Sequence, residues 1–183
     1  MTMQAHPAPD DSPWTFTLAV ADVAETGRHV TIAANEATRA AVAGVADVRE
    51  ISRLEAAFEI ARHGRNGLRI TGKVSARVGQ DCVVTLEPME SEIEEPVDVL
   101  LVPPEKIAAA VDNDTLDLDS GPDLEPLTGD SVDLGALATE FLLLGIDPYP
   151  RKPDAEFAAP QVEDDSPHPF ARLAALKRDR SAE

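Results

Sequence analysis

Apolar and polar residues alternate most regularly between Leu68 and Val78. Leu68, Ile70, Val74, Ala76 and Val78 fall on one side of an extended chain, with Gly72 between, and Arg69, Thr71, Lys73, Ser75 and Arg77 fall on the other. A period of two predicts a strand with one dry face and one wet face. Trp14–Ala21 and Arg28–Ala33 alternate in the same way and predict two earlier strands. Asn35 is a suitable N-cap for a short helix from Glu36 to about Ala43, with Gly44 as its stop. Residues 50–62 fit both periods: Ile51, Leu54, Ala57, Phe58 and Ala61 match a helix, and Leu54, Ala56, Phe58 and Ile60 match a strand. The turn-like run His63-Gly64-Arg65-Asn66-Gly67 favours a strand leading into a hairpin. Further on, Gly79-Gln80-Asp81 predicts a turn, Cys82–Glu87 a strand, Pro88-Met89-Glu90 another turn, and Ser91–Val102 a last strand. In that strand Ile93, Val97, Val99 and Leu101 point inward and Glu92, Glu94 and Asp98 outward.

The pattern is lost over 103–130, where Pro103-Pro104 precedes a run rich in aspartate. Such a stretch buries too little apolar surface to offset the cost of ordering it, so it predicts an acidic loop, with room for a short helix near Ile107–Val111. Helical spacing returns with Leu134, Leu137, Ala138, Phe141 and Leu142, capped by Asp130 or Ser131 and ended at Gly145. The expected fold is α+β: an antiparallel β-meander, open or barrel-like, packed by one main amphipathic helix, with an acidic loop and extended tails. Residues 1–13 are expected to form a flexible arm, 14–150 a single domain with the acidic loop at about 103–130, and 151–183 a linker ending in a short helix. That terminal helix would begin at Pro169 and carry Phe170, Leu173 and Leu176 as its apolar stripe. Three such side chains contribute roughly 5–9 kcal/mol, and ordering about ten residues costs on the order of 10–20 kcal/mol. The helix therefore needs a docking surface, on its own core or on a partner.

Charge changes the picture more than composition does. The 183 residues carry a net charge of −18. Residues 1–86 hold nine Lys/Arg against ten Asp/Glu, residues 87–133 one against fifteen, and residues 134–183 six against nine. The middle is strongly acidic and the first half nearly neutral. An acidic chain opposes non-specific nucleic-acid binding, which depends on cations displacing phosphate counterions, and favours a basic protein partner. Against that background the basic stripe Arg69, Lys73 and Arg77, with Arg62 and Arg65 at one end, is the candidate phosphate-contacting surface. An ordinary solvated face, with these cations paired to Glu92, Glu94 and Asp98, is the weightier reading of the same residues. The candidate protein-binding residues are Asp112, Asp114, Asp117 and Asp119, together with Pro169, Phe170, Leu173 and Leu176.

Signals for chemistry are sparse. No Gly-rich phosphate loop or His-Glu-x-x-His occurs. The aspartates of 112–130 lack the ligand order of a calcium loop, and four His with one Cys give no zinc spacing. Neither a metal nor a cofactor is expected. Cys82, with His29 or His63 as base, is the one arrangement open to nucleophilic catalysis, and a buried small apolar residue is the better account of it. A single cysteine forms no internal disulfide, and no apolar run suits a membrane span or secretory signal, so the cytoplasm is the expected compartment.

Three motifs in order carry a family likeness: Gly72-Lys73-Val74-Ser75-Ala76-Arg77-Val78-Gly79-Gln80-Asp81-Cys82; Val132–Leu144 followed by Asp147-Pro148-Tyr149-Pro150-Arg151; and His168-Pro169-Phe170-Ala171-Arg172-Leu173-Ala174-Ala175-Leu176-Lys177. Together they span about residues 70–178, and the chain resembles the YceD family of large ribosomal RNA subunit accumulation proteins. The resemblance implies a non-enzymatic role in accumulating or processing large-subunit ribosomal RNA. Many relatives carry Cys-x-x-Cys where this chain has Gly79-Gln80-Asp81-Cys82, so a metal or redox role of that motif is not carried over. Together with the acidity, the likeness implies an adaptor that holds a basic ribosomal protein or assembly factor. Direct RNA binding by the basic strand face and an enzyme using Cys82 are the alternatives.

Overall fold

A computed structural model describes residues 12–64, 66–107 and 121–157. Its elements are β1 (Thr17–Ala19), a 3-10 turn (Val20–Asp22), β2 (Arg28–Ala33), α1 (Glu36–Val45), β3 (Glu50–His63), β4 (Gly67–Asp81), β5 (Pro88–Val102), β6 (Asp123–Pro126), β7 (Ser131–Asp133) and α2 (Leu134–Gly145). The main sheet is open, in the order β2-β3-β4-β5-β6, so β2 and β6 are its edges; β1 and β7 pair separately. The fold is α+β, as the alternation predicts.

The ambiguous segment 50–62 is a strand. Leu54, Ala56, Phe58 and Ile60 are buried, and Ala57 and Ala61, the helix-spaced alternatives, lie on the wetter side. Pairing with β2 on one edge and β4 on the other supplies ladder hydrogen bonds that local periodicity cannot reveal. In β4, Leu68, Ile70, Val74, Ala76 and Val78 are all fully buried. Gly72 sits opposite Phe58 in the β3–β4 ladder. A Cβ there would collide with the Ala57 carbonyl oxygen and come within 3.0 Å of the Phe58 Cα, so the two backbones approach closely only because that side chain is missing.

Several boundaries differ from the sequence expectation. The first strand covers only Thr17–Ala19, because the chain then tightens into the 3-10 turn. Helix α1 is capped as predicted, with Asn35 Oδ1 accepting from Thr38 N at 2.9 Å, but it runs through Gly44 to Val45. The β4–β5 turn is later than predicted. Gly79-Gln80-Asp81 belongs to β4, Pro88-Met89-Glu90 belongs to β5, and residues 82–87 form the loop, since the ladder runs until Asp81 faces Pro88. Within the loop Cys82 N donates to Glu87 O and Leu86 N to Cys82 O. Part of the predicted acidic loop is also ordered structure. Asp123–Pro126 adds to the sheet as β6, parallel to Val99–Val102, because β5 leaves that edge of its ladder open.

Helix α2 begins at Leu134, and its cap is Asp133 rather than Asp130 or Ser131, which β7 carries away from the helix start. Asp133 Oδ1 accepts from Gly135 N at 2.9 Å, Ala136 N at 3.1 Å and Phe16 N at 2.7 Å, so one carboxylate closes the helix and anchors the chain entering β1. Gly145 is the last helical residue rather than a residue beyond the end. A Cβ there would meet Ile93 Cγ2 at 2.8 Å and Glu95 Oε2 at 3.0 Å, so its smallness lets α2 lie against β5. One hydrophobic cluster, from Trp14 to Leu142, lies between the sheet and the helices. Arg65, residues 108–120 with the four candidate aspartates, and the proposed terminal helix lie outside the described residues.

Asp133→Ala should lower stability by about 2 kcal/mol in urea denaturation, while Ser131→Ala stays within about 0.5 kcal/mol. Equal effects at the two positions would contradict this assignment of the cap.

Candidate interaction surfaces

The basic stripe lies on the outward face of β4, as its alternation requires, and register brings the acidic side of β5 beside it. Arg77 is directly opposite Glu92, while Glu94 and Asp98 stand diagonally across from Lys73 and Arg69. Arg69 grips Asp98 with a fork, Nε to Oδ1 at 3.1 Å and Nη2 to Oδ2 at 2.9 Å. Lys73 Nζ meets Glu94 Oε1 at 3.1 Å. Arg77 holds Glu92 Oε1 from Nε at 2.6 Å, and Arg53 of β3, reaching across β4, donates to Glu92 Oε2 at 3.0 Å. The hydrogen bond and charge of Asp98 raise the Arg69 pKa above its ordinary value, and those of Glu92 do the same for Arg77. Hydrogen bonds from Arg77 and Arg53 in turn hold the Glu92 carboxyl below the usual carboxylate range.

These groups are about half exposed, and such pairs add little to stability. Their effect is on the field. With Glu50, Glu55, Glu59 and Glu90 on the same side, seven carboxylates accompany the four cations Arg53, Arg69, Lys73 and Arg77. The stripe is a ladder of ion pairs on a net negative surface.

Arg62 does not join the stripe. Its guanidinium turns to the other side, where Nε donates to Val23 O at 2.8 Å and Nη2 to Val20 O at 3.2 Å, tying down the 3-10 turn.

Cys82 is fully buried at the head of the β4–β5 loop, one residue beyond β4. Its sulfur accepts from the Lys152 backbone N–H at 3.5 Å. Hydrogen bonds from the Thr85 side chain, then from the backbone N–H groups of Lys152 and Thr85, hold the thiol down at about 6. The sulfur is thus an internal acceptor for the chain around it. Neither histidine named as its base is near. His63 faces Gly67, at the opposite end of β4, roughly 50 Å away along the strand. His29 lies on the outward sheet face, bound to Glu59 at 2.7 Å and Thr31 at 3.1 Å. Among the described residues no three His, Cys, Asp or Glu side chains are grouped to hold a metal ion.

Sequence reasoning did not foresee that the segment after α2 packs on this loop. Val83 N donates to Pro150 O at 2.9 Å, Lys152 Nζ meets Glu87 at 2.7 Å, and Gln80 Nε2 donates to Asp147 O at 2.9 Å. The pairing of two prolines around Tyr149 signalled a fixed, extended chain there, but not what it lies against.

A family model described as "Large ribosomal RNA subunit accumulation protein YceD" matches residues 70–177, more than half of the chain, and takes in Lys73 and Arg77 of the stripe and this loop contact, while Arg53 and Arg69 precede it. Neither a curated protein nor a solved structure matches the chain. No helix among the described residues is long and apolar enough to cross a membrane.

The thiol should titrate near pH 6 when followed by thiolate absorbance at 240 nm. Because the folded pKa lies below the unfolded one, Cys82 contributes stability that is complete above the unfolded value and is lost as pH falls through about 6. Cys82→Ala should flatten that part of the pH–stability curve, and a midpoint at the ordinary thiol value of about 8.5 would exclude the hydrogen-bonded thiolate.

Proposed function

Because the chain belongs to the YceD family, we propose that it is a non-catalytic factor of bacterial large-subunit ribosome biogenesis, an acidic adaptor that holds a basic ribosomal protein or assembly factor in the cytoplasm. The family description supports involvement in large-subunit ribosomal RNA accumulation. The single observation that carries the adaptor reading is the ion-pair ladder. The cations best placed to meet phosphate, Arg69, Lys73 and Arg77, are each bound to a carboxylate of β5. An RNA backbone would have to displace those carboxylates and would then face the remaining negative charge. A basic protein surface meets no such penalty, and the segment 87–133, with its excess of fourteen acidic charges, adds attraction of the same sign. The separation of Cys82 from His29 and His63 supports a non-catalytic role.

The protein is expected to sediment with large-subunit precursors at low salt and to leave them as salt rises, since a contact between charged surfaces is screened. Sedimentation only with free protein at every salt would count against the reading.

The direct RNA alternative has its own test. Glu92→Gln, Glu94→Gln and Asp98→Asn together release the stripe, and filter retention of ribosomal RNA should rise about tenfold or more over a weak wild-type value. Tight wild-type retention, abolished by reversing the charge of Arg69, Lys73 and Arg77, would instead favour direct RNA binding.

A further inference from the structure

At the end of the sheet farthest from His63, three segments meet: the connection from α1 to β3, the end of β4 with its following loop, and the chain leaving α2. Between them lie two adjoining clefts of about 230 and 340 Å³ that share Asp47, Val48, Gln80 and Pro148. Val83 extends the wall of one and Leu143 that of the other.

Gln80 is only 8% exposed. Its Nε2 is spent on the Asp147 carbonyl, and its Oε1 is buried and accepts from no described residue. A buried carbonyl oxygen without a donor is uncommon and unfavourable, and it marks a place where a donor from elsewhere is rewarded.

The rim is negative. Arg49 cancels Asp81 at 2.8 Å, but the Asp47 carboxylate has no partner among the described residues. Asp147 spends one oxygen on its own local turn, accepting from Tyr149 N at 2.8 Å, and keeps its charge. Apolar side chains left in water also line the clefts: Val83 in one and Leu143 in the other are each about two-fifths exposed. Apolar surface gathered at a cleft and bordered by charge is the usual form of a protein-binding site.

We propose that this double cleft binds an extended basic segment of a partner protein, placing an apolar side chain against Val83 or Leu143 and Lys or Arg against Asp47 and Asp147, with Gln80 Oε1, covered in the free protein, turning outward to accept a peptide N–H. The proposal rests on the adaptor reading and gives it a site distinct from the outward sheet face. Nucleic acid is the wrong occupant, since its phosphates would lie against two carboxylates that no cation among the described residues pairs.

The test uses the full chain and a fluorescent twelve-residue peptide of alternating Lys and Gly with a central Leu-Phe pair, read by anisotropy. A control peptide has the pair replaced by Gly-Gly. The Leu-Phe peptide should bind at least tenfold more tightly than the control. Asp47→Asn with Asp147→Asn, which keep side-chain shape and the local turn, should weaken it several-fold. Val83→Lys should abolish the preference for the apolar pair, and Gln80→Met should cost about fivefold. Circular dichroism confirms that each variant folds. Equal binding of the two peptides, or the same affinity in every variant, means that only the overall field of the chain is being read and overturns the proposal. So does much tighter binding in a Phe170→Asp, Leu173→Asp variant, which would show that the chain's own apolar-basic end already fills the cleft. Sedimentation separates this from the wider reading. Wild type that still travels with large-subunit precursors despite a silent cleft leaves the adaptor role standing, and a cleft that binds peptide in a protein that never sediments with precursors removes that role and keeps the site.

Discussion

The structure depends on β4 being paired along both edges for its whole length, which in turn depends on the close approach of its backbone to β3 at Gly72. The strand faces β3 from Gly67 to Gly79 and β5 from Leu68 to Asp81. Its apolar side forms the floor of the core, and α2 covers that floor while leaning on β5 at Gly145. Because side chains alternate, the register that buries Ile70 and Val74 also fixes Arg69, Lys73 and Arg77 outward beside Glu92, Glu94 and Asp98. A slip of one residue would put cations into the core and apolar groups into water, so the packing of the core determines the electrostatics of the outer face.

The parts legible in the sequence were those set by long, uninterrupted periodicity. The alternation of β4 and β5 and the helical spacing of α2 each leave a core face that only one conformation buries well. The segment 50–62 was readable only through its neighbours, because its two periods are equally good locally and the choice belongs to the strands on either side. Boundaries were misplaced where tertiary pairing overrides turn chemistry. Gly79-Gln80-Asp81 looks like a turn, yet Arg49 N bonds to Gly79 O and holds the chain extended. Strand β6 was hidden for a similar reason: Asp123-Leu124-Glu125-Pro126 is too short to show a period of its own and is a strand because β5 offers it a partner. The candidate site was half legible. Residue types gave the two rows of charge, and the weightier expectation paired them, but the fork of Arg69 on Asp98 and the sharing of Glu92 by two arginines require the register.

Individually weak ion pairs can still decide what a surface binds. Each exposed pair adds little to stability, and less in salt. A row of them nevertheless sets a carboxylate against each of Arg53, Arg69, Lys73 and Arg77, so among the described residues the outer face of β3 and β4 offers no unpaired cationic row to oppose the acidic segment that follows. Charge balance summed over a stretch of sequence therefore misleads: the cations are counted in one segment, and the carboxylates that neutralise them are supplied by the next.

The loop around Cys82 links this sheet to the far end of the molecule. Sulfur is a larger and softer acceptor than a carbonyl, and here it gathers N–H groups from its own loop and from Lys152. Together with the bonds from Val83 to Pro150, Gln80 to Asp147 and Lys152 to Glu87, it fixes the chain leaving α2 against the β4–β5 loop. Pro148 and Pro150 stiffen the same stretch by fixing their own φ angles. The walls of the double cleft are thus held by bonds already made in the free protein, so a partner would pay its ordering cost on its own side. The buried cysteine then has a structural use that requires neither metal nor catalysis: it holds in place the segment that carries Asp147 and the wall at Pro148.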